Sequence, residues 1–249
     1  NDFKIIYICK NKYHLIMLLW SLESLKRYNF ENITIIVSNY NEKVFLKDNF
    51  SNNLDIKIID VDINKYPKFS YKPFVLKEII NNKIDLANNT IISDADIIWK
   101  KDPKLLFKRI KNKNWFHKIT IFNDKDYSID YKNIKPSNIG LKTIKNYFKE
   151  NTVKNLPNFI VNAGLFSLNK KIFYEVINNW FKKIKSLDPE KMLMSEALLS
   201  LTLSELNIPP YCDKENMKYY EKNINSINFS SKILENHNEL TGYEIVEHY

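Results

Sequence analysis

Apolar residues recur along the chain in two alternating rhythms. Phe3 to Cys9 is an aliphatic and aromatic run of strand length, and Leu15, Leu18, Leu19, Leu22 and Leu25 then follow at spacings of three and four, so a strand leads into a helix. Ile33 to Val37 and Ile56 to Val61 are two more compact runs, separated by polar, Asn-rich sequence that holds a short helix around Glu42 to Lys47. Thr90 to Trp99 predicts a fourth strand. Short, nearly continuous apolar strands alternating with amphipathic stretches are what a parallel sheet covered on both faces requires. The first hundred residues therefore read as a Rossmann-like α/β unit.

Between Asp102 and about Pro157, Lys, Asn and Tyr crowd out regular periodicity, which predicts an irregular excursion or a substrate-side insertion. A strand resumes over Phe159 to Leu168. Phe173, Val176, Ile177, Trp180, Phe181 and Ile184 then mark a helix, and a further one spans Ser195 to Leu206 until Pro209-Pro210 stops it. No internal repeat of fixed period is present.

Composition narrows the function. With 44% apolar and 14% aromatic residues in 249, the chain buries a substantial core. Its longest wholly apolar run, Leu15 to Trp20, falls well short of the ~18 residues of a membrane span. The glycines Gly140, Gly164 and Gly242 are too few and too scattered for a Gly-rich dinucleotide turn or a P-loop, which removes two large nucleotide-binding classes. A net charge of +9 favours anionic partners without choosing among nucleotides, nucleic acid and acidic lipid. Cys9 and Cys212 make neither a disulfide framework nor a zinc set, so a reducing, cytoplasmic setting is the simpler expectation. Asn1 rather than Met opens the sequence, which reads as a chain with trimmed termini.

The chemistry concentrates in Ile91-Ile92-Ser93-Asp94-Ala95-Asp96-Ile97-Ile98-Trp99, where two carboxylates interrupt an apolar strand. An uncompensated charge there costs several kcal/mol, roughly, so something must offset it. Residues i and i+2 of an extended segment share a face, so Asp94 and Asp96 suit one hard cation, Mg²⁺ or Mn²⁺. In open α/β sheets the ligand crevice lies beyond the carboxyl ends of the strands, where this pair falls. The alternative is that one Asp caps the helix opening near Asp102-Pro103, or pairs with a lysine.

Asp94-Ala95-Asp96-Ile97-Ile98-Trp99-Lys100-Lys101-Asp102-Pro103 resembles the strand-end D-X-D motif of glycosyltransferases of the GT-A fold. Other segments agree in order. Ser70-Tyr71-Lys72-Pro73 is similar to the basic segment opening the helix before that strand, and Asn162-Ala163-Gly164-Leu165-Phe166 to the acceptor-side Asn-(Ala/Ser)-Gly motif. Ser195-Glu196-Ala197-Leu198 stands where family-8 enzymes carry Asp-Gln-X-Leu, with Ser195 in place of Asp and Glu196 in place of Gln. The family-8 C-terminal His-X-X-Gly-X-X-Lys-Pro-Trp signature, whose His is the third metal ligand, is absent as written; His248 and His237 are the candidates for that role.

The resemblance implies a mixed, mainly parallel GT-A sheet flanked by helices in a single domain over residues 1–249, with 1–100 the nucleotide-binding half and 101–249 the acceptor-binding half. It implies a nucleotide-sugar donor, UDP-linked, a saccharide, glycolipid or other hydroxyl acceptor, and Mn²⁺ or Mg²⁺ held by Asp94, Asp96 and His248. Such a metal neutralises charge developing on the leaving diphosphate. Lys72 adds a cationic contact to the donor, or is one more solvated lysine. Ile8, Cys9, Tyr13 and Asp60, at two strand ends, face base and ribose, although Asp60 equally fits an ordinary loop carboxylate. With Ala95 inside the motif, Asn162 and Gly164 let a sugar approach the backbone and hydrogen-bond its hydroxyls. Glu196 is either a base toward the acceptor hydroxyl or a group beside the anomeric carbon; a Glu that merely complements a helix N-terminus is the competing reading.

Two other classes remain open on sequence alone. A metal-dependent nucleotidyltransferase also pairs aspartates, but lacks a Gly-Ser helix start here. A basic module binding nucleic acid or membrane would explain the charge and stretches such as Lys214 to Lys222, but not carboxylates in an apolar strand. The transferase reading carries no nucleic-acid partner, and admits peripheral contact with the inner membrane face.

Overall fold

The computed structural model describes residues 3–9, 12–50, 54–59, 71–121, 139–150, 157–191 and 193–222. Strand β1 (Phe3–Ile8) leads into α1 (Lys12–Lys26), β2 (Ile33–Val37), α2 (Tyr40–Asn49), β3 (Asp55–Ile58), α3 (Tyr71–Asn81) and β4 (Asn89–Ser93). After β5 (Ile97–Trp99) come α4 (Pro103–Ile110), β6 (Trp115–Phe116), β7 (Ile119–Ile121) and α5 (Ile139–Glu150). Strands β8 (Phe159–Val161) and β9 (Leu165–Ser167) precede α6 (Lys170–Ser186), α7 (Ser195–Glu205) and β10 (Tyr220–Lys222).

A six-stranded sheet in the order β3-β2-β1-β4-β9-β6 forms the centre. Strands β1 to β4 run parallel, and β9 is antiparallel to both its neighbours, β4 and β6. Strict alternation divides the apolar residues between the faces. Ile6, Ile8, Ile92 and Phe166 join α3, α6 and α7 in one core layer; Ile5, Tyr7, Cys9, Ile91 and Leu165 join α1, α2 and α4 in the other.

Helix ends follow from local chemistry. Asn39 caps α2 by accepting from Glu42 N–H at 3.0 Å, while the Glu42 carboxylate accepts from Ser38 N–H at 2.7 Å. Asp102 caps α4, with Pro103 in the first turn. At the other ends Asn29, Lys83 and Asn207 take left-handed φ angles of 50°, 51° and 53° after α1, α3 and α7. Phe30, Ile84 and Ile208 then donate their N–H back five residues, to Leu25, Ile79 and Leu203, a Schellman closure built without glycine.

Four expectations change. The strand expected over Thr90 to Trp99 is two, because β5 leaves the main sheet to pair with β10, so Asp94 and Asp96 sit on the turn between strands rather than within one. Phe159 to Leu168 also divides: β8 pairs with β7 and β9 with β4, around Asn162 to Gly164. The third strand stops at Ile58, and residues 60–61 lie outside the described ones. The irregular stretch from Asp102 contains α4, β6, β7 and α5, the first three too short to show a period; 122–138 and 151–156 lie outside the described residues.

Candidate functional site

The sheet order reverses between β1 and β4, since β2 and β3 lie on one side and β9 and β6 on the other. A crevice opens at such a switch point, beyond the carboxyl ends of the parallel strands. Cys9 follows β1 and Asp94 follows β4, so these two strand ends flank it. Ile8 and Cys9 are buried in the two opposite core layers, so only backbone borders the crevice here. Burial, then the nearby carboxylates of Glu42 and Asp94, push the Cys9 thiol far above its ordinary value, which keeps it neutral.

The Asp94 turn is held by two neighbours. Asp94 N–H donates to the Gly164 carbonyl at 2.7 Å, tying the turn to the Asn162–Gly164 bend. That bend is itself closed by Gly164 N–H donating to Asn162 Oδ1 at 2.9 Å. Lys72, in the first turn of α3 and only 7% exposed, donates to Asp94 Oδ1 at 2.5 Å and to the Ala163 carbonyl at 2.7 Å. The solvated-lysine reading of Lys72 is overturned by that burial. Its ammonium offsets the Asp94 charge and joins three chain segments at one point.

Glu196 occupies the first turn of α7, beside buried Ser195. The helix is fixed there from both sides: Trp180 Nε1–H donates to the Ser195 carbonyl at 2.8 Å, and Ser200 Oγ donates to the Glu196 carbonyl at 2.8 Å. Ser200 Oγ in turn accepts from Val161 N–H at 2.9 Å, which sets α7 against the strand that ends at Asn162. Tyr71 shows how these parts converge. Its buried phenol is pushed well above the ordinary tyrosine value by burial first, then by the charges of Asp94, Asp96 and Glu196. Three carboxylates from two segments, the Asp94–Asp96 turn and α7, thus act on one hydroxyl. Tyr71 was not singled out from sequence; its position beside Lys72 in the Ser-Tyr-Lys-Pro segment was the available signal.

Ala95 is buried beneath the turn. Tyr13 falls in the first turn of α1. Asp60, His237 and His248 lie outside the described residues. Among the described residues no group of three or more His, Cys, Asp and Glu side chains is arranged to hold a metal. The donors present nonetheless fit Mg²⁺ or Mn²⁺, which bind through one or two carboxylates and complete their shell with water and substrate phosphate. Asp94 and Asp96 supply hard oxygens, and no soft ligand competes at the turn.

No protein-family model matches the sequence, and neither does any curated protein. Among solved structures, the chain is similar to galactosyltransferase LgtC in complex with donor and acceptor sugar analogs, at 14% identity and a TM-score of 0.50, over 83% of this chain and 72% of that one. An active-site mutant of LgtC gives the same TM-score of 0.50. The apo form of mouse xyloside xylosyltransferase 1 covers 86% of this chain and 85% of its own at 14% identity, with a TM-score of 0.47. The fold is that of the GT-A glycosyltransferases.

Proposed function

We propose that the chain is a metal-dependent glycosyltransferase that moves a sugar from a nucleotide-sugar donor, UDP-linked, to a saccharide, glycolipid or other hydroxyl acceptor. The observation that carries this is the meeting of the Asp94–Asp96 turn with the Asn162–Gly164 bend at the switch point of a GT-A sheet. Residues 1–100 form the donor half and 101–249 the acceptor half.

In the reaction the bond from the anomeric carbon to the diphosphate oxygen breaks, and its electron pair leaves with the nucleoside diphosphate. The acceptor oxygen forms the new bond to that carbon and loses its proton. Mn²⁺ or Mg²⁺, when bound, stabilises the charge on the departing diphosphate. Asp94 and Asp96 would hold that ion, with His248 as a proposed further ligand. Lys72 fixes Asp94 and the Ala163 carbonyl, keeping the donor and acceptor sides of the crevice in register. Asn162 and Gly164 receive the sugar. Glu196 either takes the acceptor proton or stands beside the anomeric carbon.

A thermal-shift panel of UDP-, GDP- and CMP-sugars with and without Mn²⁺ tests this. A donor at 100 times its dissociation constant stabilises a fold by ~2.7 kcal/mol. One nucleotide class is expected to give a Mn²⁺-dependent shift, and Asp96→Asn to abolish both shift and turnover while the ligand-free protein melts as the parent does. No shift with any donor, beside salt-sensitive binding to RNA, would replace the enzyme by a basic binding module.

We also propose that the protein contacts anionic lipid from the cytoplasmic side, through the basic face of α4. Among the described residues no helix is long and apolar enough to cross a membrane.

A further inference from the structure

We infer that Tyr7, Ser21, Ser24 and Trp99 form a positioning network that sets the bend at Asp94–Asp96, and with it the reach of Asp96 toward the cation; this rests on the metal reading above. The chain has no steric reason to turn after Ser93. Ile97 and Trp99 are as buried as the strand before them, so the chain re-enters the core beyond the two carboxylates. Pairing with β10 holds β5 on one side, and hydrogen bonding to α1 and β1 holds it on the other. Trp99 N–H donates to Ser24 Oγ at 2.9 Å, and Trp99 Nε1–H donates to the Tyr7 hydroxyl at 2.9 Å. The Tyr7 hydroxyl and Ser21 Oγ share a hydrogen bond of 2.6 Å, and Ser24 Oγ donates to the Ser21 carbonyl at 2.6 Å.

The composition of this network is unusual for a region that needs only volume. Tyr7 and Ser21 are 0% exposed, Trp99 1% and Ser24 3%. Ser21 and Ser24 interrupt the buried leucine stripe of α1, where alanine would fill similar space without a polar atom to satisfy. Fully paired, such groups add little net stability over an apolar core, but they dictate direction, because each donor has one acceptor within reach. Here the direction imposed is that of β5.

The turn is thus anchored at both ends. On its near side Asp94 is fixed by the Gly164 carbonyl and by Lys72. On its far side Trp99 lies three residues beyond Asp96, at most ~11 Å of extended chain away. The two anchors act on different carboxylates. Loss of the Trp99 anchor leaves the Asp94 contacts untouched and loosens the segment that carries Asp96, which β10 then holds from one side alone. The predicted signature is weakened cation binding rather than general loss of fold. Tyr7, Ser21 and Ser24 lie outside the D-X-D and Asn-Ala-Gly segments, and Trp99 follows the two aspartates within the former.

The test uses the full chain, with Mn²⁺ binding read by electron paramagnetic resonance of the free ion, in the presence of UDP, and thermal unfolding measured alongside. Trp99→Phe removes the indole donor and Ser24→Ala the acceptor of the Trp99 N–H. Thr202→Ala removes a buried hydroxyl bond of 2.8 Å within α7 as the control for stability alone. Changes to groups that orient metal ligands typically weaken metal affinity 10- to 100-fold, so about a tenfold rise in the Mn²⁺ dissociation constant is expected for Trp99→Phe and Ser24→Ala. Thr202→Ala should stay within about twofold of the parent at a similar thermal loss. Should Trp99→Phe fail to fold, Ser24→Ala alone decides. Parent-like Mn²⁺ affinity in the folded variants overturns the network's positioning role while leaving the transferase reading intact. A parent that binds no Mn²⁺ overturns the metal reading itself, and this inference with it.

Discussion

Lys72 shows what a single buried charge does in this molecule. Its side chain is 9% exposed and that of Asp94 29%, so their ion pair is partly shielded from water. Removing the ammonium takes away the cation beside Asp94 and frees the Ala163 carbonyl. A fully buried pair loses roughly 3–5 kcal/mol on such a change; the residual exposure of Asp94 reduces that to about 2 kcal/mol here. Lys72→Met should therefore melt lower than the parent without metal. Mn²⁺ should then stabilise the variant more than it stabilises the parent, because the cation takes over the neutralising role. Urea unfolding with and without Mn²⁺ measures both effects. Parent-like stability of the metal-free variant would reduce Lys72 to a peripheral contact. The same pairing explains why Asp96→Asn is a cleaner probe of the metal than Asp94→Asn, which would strand the Lys72 charge.

At the scale of elements, the chain compensates for a shortage of glycine. With three glycines in 249 residues, the left-handed helix ends fall to Asn29, Asn207 and Lys83. Asn tolerates this conformation through local hydrogen bonding; Lys does not, and a side chain held there costs roughly 1–2 kcal/mol. Lys83 is exposed, so its replacement removes little packing. Lys83→Gly should raise the melting temperature by about 2–4 °C, the shift that ~1 kcal/mol produces in a domain of this size. Calorimetry checks it, and a lowered melting temperature would show that Lys83 contributes something beyond backbone geometry. This strain left no mark in the hydrophobic pattern. What the pattern made legible were the elements whose packing is periodic: β1, β2, α1, α6 and α7. It merged β4 with β5 and β8 with β9, because all four segments are apolar and only hydrogen-bond partners distant in sequence tell where they part. The same holds for the site. Asp94, Asp96, Asn162 and Glu196 stood out as residue types in context, whereas the bond from Lys72 to Ala163, and Tyr71 amid three carboxylates, arise only when α3, β4 and α7 are brought together.

Across the whole molecule the net charge of +9 is unevenly spread. Lys100, Lys101, Lys104, Lys108, Lys111 and Lys113 are all exposed on or beside α4, and Asp102, the acidic residue within 100–113, is occupied in capping the helix. Leu106, Phe107 and Ile110 pin the opposite side of the helix to the core, and the Arg109–Asp213 ion pair of 2.7 Å fixes its end, so the basic face is presented rigidly. Leu105, 45% exposed, stands among the lysines as an apolar contact, which suits a headgroup layer better than a nucleic-acid backbone. Phe107 stacks on Phe3 at the start of β1, with ring centroids 4.9 Å apart. The buried side of α4 thus packs beside the amino end of β1. Each lysine close to an anionic surface contributes about 1 kcal/mol, so the triple variant Lys104→Glu/Lys108→Glu/Lys111→Glu should lose well over tenfold in affinity for vesicles of phosphatidylcholine mixed with phosphatidylglycerol. Because the screening length falls from ~10 Å at 0.1 M salt to ~3 Å at 1 M, parent binding should vanish over that range. Co-sedimentation reads both. Equal association with pure phosphatidylcholine, or a triple variant that sediments like the parent, would remove the electrostatic face of α4 as the docking surface, and retention of RNA without any vesicle binding would make its partner a polyanion instead.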